Sequence, residues 1–145
     1  RNLIKKFSGQ VSGESIIEKN QVEIKEIFEQ ENIEEILNKT YSLSQNGSEF
    51  SKNTEHELKG KSPTSLKITF KQIHMATEMS LRDALIMEYR MVQRCQASGD
   101  FYEGVRAMLV DKDRNPQWKP SNLDKVDEIW VNHFFEPLHE KDLKI

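Results

Sequence analysis

From Ile16 onward the apolar residues recur at three- and four-residue spacings, the period of an amphipathic helix. Ile17, Ile24, Ile27 and Phe28 fall near one face. Asn32 followed by Glu35 has the form of a capping box, a short polar acceptor with a carboxylate three residues on. The helix it opens carries Ile33, Ile36, Leu37 and Leu43 and closes before Asn46-Gly47, where glycine takes the left-handed conformation. A weaker helix spans 50–58 and ends at Gly60. Ser62-Pro63-Thr64 predicts the next start, because proline in the first turn gives up no needed hydrogen bond. That helix runs to about Met79, with Leu66, Phe70, Ile73 and Met79 inward. Ser80 and Asp83 open the longest helix, 81–98, with Leu81, Leu85, Glu88, Met91, Val92 and Cys95 near one stripe until Gly99 ends it. Asp100 with Glu103 repeats the capping signature and starts a short helix through Leu109. Asn115-Pro116 and Lys119-Pro120 predict an extended loop. The last helix, 123–134, places Leu123, Val126, Ile129 and Trp130 at helical spacing. No stretch alternates convincingly at period two, so the expected fold class is all-α, six or seven short helices with brief connections. Residues 1–15 read as an irregular lead-in, and 16–145 as one helical domain.

Composition qualifies this picture. Apolar residues make up 36% of the 145 and, even with the six glycines added, fall short of the ~45–50% usual for a globular chain. Charged residues reach 31%, above the usual ~25%. Such a chain folds around a thin core, and part of its apolar surface is expected to dock on something else. The expected docking face draws on Leu81, Leu85, Met91 and Val92 and on residues 101–109, with Met87, Met91 and Met108 as adaptable contacts. The net charge of −3 arises at the front: residues 1–60 hold 8 Lys/Arg against 11 Asp/Glu, and residues 61–145 hold 13 of each. No segment has the clustered Lys/Arg of a nucleic-acid footprint. Cys95 is the single cysteine, so no disulfide partner exists within the chain, and a reducing compartment is expected. No run of about 18 apolar residues predicts a membrane span. The start, Arg1-Asn2-Leu3-Ile4-Lys5-Lys6, has neither an initiator Met nor a signal-peptide apolar core, so the natural start is expected to lie elsewhere.

Candidate chemistry is sparse. His56, His74, His133 and His139 match no metal-ligand spacing, so no metal and no cofactor are expected. Cys95, on an apolar stripe, reads as a buried inert thiol rather than a nucleophile. Glu88 interrupts that stripe. A buried acid there with a raised pKa is a general-base candidate, but pairing with Arg90 or Arg94 is the plainer reading. Gly104 inside its helix reads as a site of close packing.

Three segments taken together carry a resemblance. They are Ser62-Pro63-Thr64-Ser65-Leu66-Lys67-Ile68-Thr69; residues 81–90, ending Met87-Glu88-Tyr89-Arg90; and Asp100-Phe101-Tyr102-Glu103-Gly104-Val105-Arg106-Ala107, continued by Asp111-Lys112-Asp113 and Pro116-Gln117-Trp118-Lys119-Pro120. In this order and spacing they resemble the C-terminal region of 3-hydroxyisobutyryl-CoA hydrolases, within the crotonase (enoyl-CoA hydratase/isomerase) superfamily. The likeness is best over 60–123 and looser over 20–58. Asp142-Leu143-Lys144 resembles the family's closing residues.

The resemblance implies the helical C-terminal part of a crotonase-like fold without its α/β core. In that family the thioester carbonyl is held by backbone N–H groups of the core and attacked by water with carboxylate help, so the resemblance assigns no catalytic residue here. It implies that the chain alone is inactive and serves packing or assembly. The expected partner is a crotonase-core polypeptide or a larger assembly, with a CoA thioester at a shared site. By position, Lys112, Trp118 and Lys119 are the residues it places beside the CoA nucleotide. A lysine offers a phosphate a point charge and an indole offers a stacking face. The plainer alternative is solvated lysines and an anchoring indole. The implied setting is valine catabolism in the mitochondrial matrix. Two other readings stand beside it: a non-catalytic structural subunit of the mitochondrial ribosome small subunit, and an independent helical adaptor.

Overall fold

The computed structural model describes residues 13–145, which form eight α-helices and, among the described residues, no strand. Side-chain caps account for most of the starts. Ser15 and Glu18 form a reciprocal capping box opening α1 (Ile16–Lys19), and after Asn20 comes α2 (Gln21–Phe28). Asn32 Oδ1 accepts the Glu35 N–H at 2.8 Å and starts α3 (Ile33–Gln45). Gly47, at φ +97°, lets the chain reverse into α4 (Glu49–Lys59), capped by Ser48. Ser62 caps α5 (Pro63–Ala76), with Pro63 in the first turn, and Ser80 caps α6 (Leu81–Ala97). α7 (Asp100–Val105) widens into a π turn, Arg106–Val110. A 3₁₀ turn, Leu123–Lys125, precedes α8 (Glu128–His133), which Asp127 caps, and a second, His139–Lys141, follows it. The helix count exceeds the six or seven read from periodicity because Asn20 divides the first stretch in two. Of the lead-in expected over 1–15, residues 1–12 lie outside the described residues.

The core has two parts, and α5 contributes to both. Ile68 packs with Met87, Met91, Val126, Val131 and Phe134. Leu66 and Phe70, each two residues away and so about 200° around the helix, pack against Ile27, Ile33 and Ile36. Phe134, 1% exposed, is the largest fully buried side chain. Phe50 and Leu58 of α4 pack on the Ile27 cluster, and polar bonds between α2, α3 and α4 flank it. Ser44 donates to Glu55, while Ser48 and Ser51 both donate to Glu23 from α2. The buried Ser44 and Ser51 hydroxyls are thereby satisfied.

Three arginines on α6 hold the C-terminal segment. Arg94 Nη1 donates to the Glu136 carbonyl at 2.8 Å, Arg90 Nε to both Asp142 oxygens at 2.9 Å, and Arg82 Nε to the Ile145 carbonyl at 2.7 Å. Arg90 thus serves Asp142 rather than Glu88, which is exposed and accepts from Gln72 Nε2 at 3.2 Å. Cys95 is half-buried, packs on the Ile68 cluster, and has its thiol pKa pushed up by burial and by the nearby Asp100.

Ile73, expected inward, is 60% exposed, and Leu81 (78% exposed), Leu85 and Val92, expected on a docking face, face outward. The inward line of α6 is Ala84, Met87, Met91 and Cys95; Met91 and Cys95 belong to the stripe read in the sequence, and Ala84 and Met87 take the places read for Leu85 and Glu88. Met87 and Met91 are therefore core, not surface contacts. Ile129 (82% exposed) also points out. The expected single helix over 123–134 breaks at Val126, which is extended (φ −98°, ψ 99°), and α8 restarts from Asp127 in a new register that turns Val131 and Phe134 inward.

Candidate functional site

Two concavities meet at the start of α7. The larger is an open groove of about 680 Å³ between α3, α5, α7 and the loop after the π turn. Its walls are apolar, with Ile33 and Ile36 from α3, Leu66 and Phe70 from α5, Phe101 and Trp118 among them. Phe28, Ile73 and Phe101 stand at its rim 42%, 60% and 49% exposed. The smaller hollow, about 440 Å³, is polar: Ser98, Asp100, Tyr102, Glu103, Arg106, Gln117 and Lys119 border it.

The loop over 111–119 is held by one face of α7 and its continuation. Asp100, Glu103 and Arg106 recur every three residues and so share that face. Arg106 Nη2 donates to the Asn115 carbonyl at 3.2 Å; Glu103 Oε1 accepts the Gln117 N–H at 2.6 Å; Asp100 Oδ1 accepts the Lys119 N–H at 3.1 Å. Arg106 also binds Glu103, Asp111 and Asp113 at 2.7–2.9 Å. This ring of acids holds the guanidinium above its ordinary pKa. In return the Arg106 hydrogen bond, with the Gln117 N–H, draws Glu103 from 4.5 down to about 2. Asp113 is lowered too, first by Arg106 and then by the Asn115 N–H. Arg106 thus fixes a turn in which Lys112 (φ 57°) and Arg114 (φ 54°) both take the left-handed conformation that side chains disfavour.

Trp118 sits between the two concavities' walls, half-buried. Its indole Nε1–H donates to the Gly60 carbonyl at 3.1 Å. Its ring lies on Gly104, where an added Cβ would come 3.3 Å from Cη2. The close packing expected at Gly104 is therefore against this indole rather than another helix. Of the three residues expected beside a nucleotide, Trp118 lines the groove and Lys119 borders the polar hollow, next to each other. Lys112 is exposed in the Arg106 turn and lines neither. Sequence reading missed Arg106. The threefold spacing of Asp100, Glu103 and Arg106 was the available signal for it. Among the described residues no three His, Cys, Asp or Glu side chains converge as a metal site, and no helix is long and apolar enough to cross a membrane.

Comparison with known proteins supplies the lineage. The mitochondrial 3-hydroxyisobutyryl-CoA hydrolase of Gallus gallus is 42% identical over 132 residues, 91% of this chain and 34% of that protein. The Danio rerio protein of the same name is 46% identical over 122 residues, 84% of this chain and 31% of that protein. The chain thus spans about a third of the length of the curated relatives it matches. Among solved structures, an enoyl-CoA hydratase from Rhodobacter sphaeroides 2.4.1 superposes with a TM-score of 0.84 at 26% identity, covering 99% of this chain and 44% of its own. A carnitinyl-CoA dehydratase from Mycobacterium thermoresistibile gives 0.83 at 26% identity, covering 93% and 38%. The family model described as enoyl-CoA hydratase/isomerase matches residues 1–135, and the chain belongs to that family.

Proposed function

We propose that this chain is the helical part of a CoA-thioester hydrolase of the 3-hydroxyisobutyryl-CoA type, acting in the mitochondrial matrix on an intermediate of valine breakdown. The observation that carries this is identity of 42–46% to mitochondrial 3-hydroxyisobutyryl-CoA hydrolases across most of the chain. That match favours the hydrolase reading over a ribosomal one.

In this reading the chain contributes no catalytic group; water attack and oxyanion stabilisation belong to the α/β core, and the helical part packs on that core. Trp118 and Lys119 lie where the chain meets the CoA nucleotide, the indole as a stacking face and the ammonium as a phosphate contact. Lys112, carried on the Arg106 turn, is an outer phosphate contact. The backbone bonds from Asp100, Glu103 and Arg106 support this by holding the loop before any ligand arrives, which lowers the ordering cost of binding.

The test is a chimera in which this chain replaces the matching 132 residues of the Gallus gallus hydrolase. It should hydrolyse 3-hydroxyisobutyryl-CoA while the free chain does not. Lys119→Ala in the chimera should raise KM for the thioester several-fold with kcat little changed, the pattern of a lost ground-state contact. A free chain that turns over the thioester at enzyme-like rates, or an inactive chimera, refutes the reading.

A further inference from the structure

Lys112 stands between Asp111 and Asp113 in the chain, and Lys119 borders the hollow that Asp100 and Glu103 also line. Nearby acids take up lysines elsewhere in this fold: Lys52, Lys59 and Lys61 each pair with a glutamate three or four residues back, at 2.5–2.8 Å. Lys112 and Lys119 are exposed, and among the described residues neither ammonium is paired with a carboxylate. The acids beside them are turned onto other donors. The Arg106 guanidinium takes Glu103 through Nε and Nη2, at 2.9 and 2.8 Å, and takes Asp111 and Asp113 through Nη1, each at 2.7 Å. Asp100 accepts from the Ser62 hydroxyl and the Lys119 N–H. Glu103 is close enough to Lys119 to feel its charge, behind the larger pulls of Arg106 and the Gln117 N–H. Without Arg106, Glu103 becomes an unanswered carboxylate near Lys119, and Asp111 and Asp113 become two on either side of Lys112.

We infer that Arg106 is a positioning residue for the phosphates of a CoA thioester: by drawing Glu103, Asp111 and Asp113 onto one guanidinium, it leaves the ammoniums of Lys112 and Lys119 uncommitted to any carboxylate. This rests on the hydrolase reading, in which those two lysines meet the CoA nucleotide. The main-chain bonds decide where the loop stands; Arg106 decides whether its lysines have a charge to offer there. An ammonium already paired with a carboxylate presents little net charge to an incoming phosphate. The loop cannot simply do without the acids, because Glu103 holds the Gln117 N–H and Asp113 the Asn115 N–H. Arg106 lets it keep their oxygens while withholding their charge from the lysines. Arginine suits this task, since its planar fork of five N–H donors serves three acids at once and stays charged at any working pH. Exposed ion pairs are weak, so each recaptured lysine should lower affinity only about threefold, and the two together about tenfold.

The experiment is steady-state hydrolysis of 3-hydroxyisobutyryl-CoA by the full-length chimera. Arg106→Gln should raise KM about tenfold, as much as Lys112→Ala with Lys119→Ala, and leave kcat within about twofold. In that double-lysine background Arg106→Gln should change KM less than about twofold, because no ammonium is left for it to act through. Glu103→Gln, Asp111→Asn and Asp113→Asn keep a carbonyl oxygen for the loop's N–H groups and remove the charge. Added to Arg106→Gln, they should return KM to within about twofold of the parent chimera. Arg106→Lys keeps the charge but not the fork, and should raise KM about threefold. If Arg106→Gln does not fold, Arg106→Lys carries the test, and its effect should likewise vanish in the double-lysine background. In an active chimera, a KM unmoved by either substitution at Arg106, a rise that persists without the two lysines, or one that the amides deepen instead of reversing overturns the inference and leaves the hydrolase reading standing. An inactive chimera removes the hydrolase reading itself and this inference with it.

Discussion

Trp118→Ala is the sharpest probe of how the loop is held. A tryptophan side chain buries roughly 150–250 Å² when covered; half of that, at ~25 cal/mol per Å², is about 2–3 kcal/mol. Loss of the indole bond to the Gly60 carbonyl adds little more than about 0.5 kcal/mol, because Gly60 is exposed and water replaces the donor. The expected loss is therefore about 3 kcal/mol, read from urea unfolding at constant slope by far-UV circular dichroism. Trp118→Phe keeps most of the ring contact and should cost only about 1 kcal/mol. The Gly104 contact supplies an internal control. Alanine at 104 gains about 1 kcal/mol of helix propensity over glycine, but its methyl presses on the indole at 3.3 Å. Gly104→Ala should thus stabilise the Trp118→Ala background more than the parent, by at least about 0.5 kcal/mol in a double-mutant cycle. A loss below about 0.5 kcal/mol for Trp118→Ala, or strict additivity of the two substitutions, would refute the packing argument.

Glu103 is held ionised in the fold, from 4.5 down to about 2, so its contribution to stability is fully present above pH 4.5 and is lost as pH falls towards 2; acid titration of the unfolding midpoint should show Glu103→Gln lowering it near pH 7 and flattening the segment below pH 4.5, so that the two proteins converge towards pH 2. Phe134→Ala removes the largest fully buried side chain, from the junction of α5, α6 and α8, and should cost about 3–5 kcal/mol by thermal or urea unfolding; a loss under about 1 kcal/mol would mean that part of the core is not packed as described.

Local signals proved the most readable in the sequence. Asn32, Ser62 and Ser80 each accept the N–H three residues on, as their spacing predicts, and Gly47 and Gly99 both take positive φ at the ends of helices. Asp100 and Glu103 show where local reading stops. They have the form of a capping box, yet Gly99 is the N-cap, with no side-chain bond, and the two carboxylates reach across to Ser62, Lys119, Gln117 and Arg106. α6 shows the same limit in its packing. Two lines along it have helical period, and the more apolar one, Leu81, Leu85 and Val92, faces out. Periodicity finds a stripe but not its partner. Arg106 escaped because its partners, Glu103, Asp111, Asp113 and the Asn115 carbonyl, are close in sequence but converge on one guanidinium only once the chain turns back after the helix.

The loop after the π turn is gripped by its main chain, and that has a consequence for which residues it tolerates. The N–H groups at 114, 115, 117 and 119 are in use, so proline is barred there, whereas positions 116 and 120 have no such duty, and those two positions are where this loop places its prolines. The hold is blind to side-chain identity at 115, 117 and 119. A lineage can rewrite the chemistry displayed at Gln117 or Lys119 without loosening the scaffold beneath it, as long as it never writes proline there.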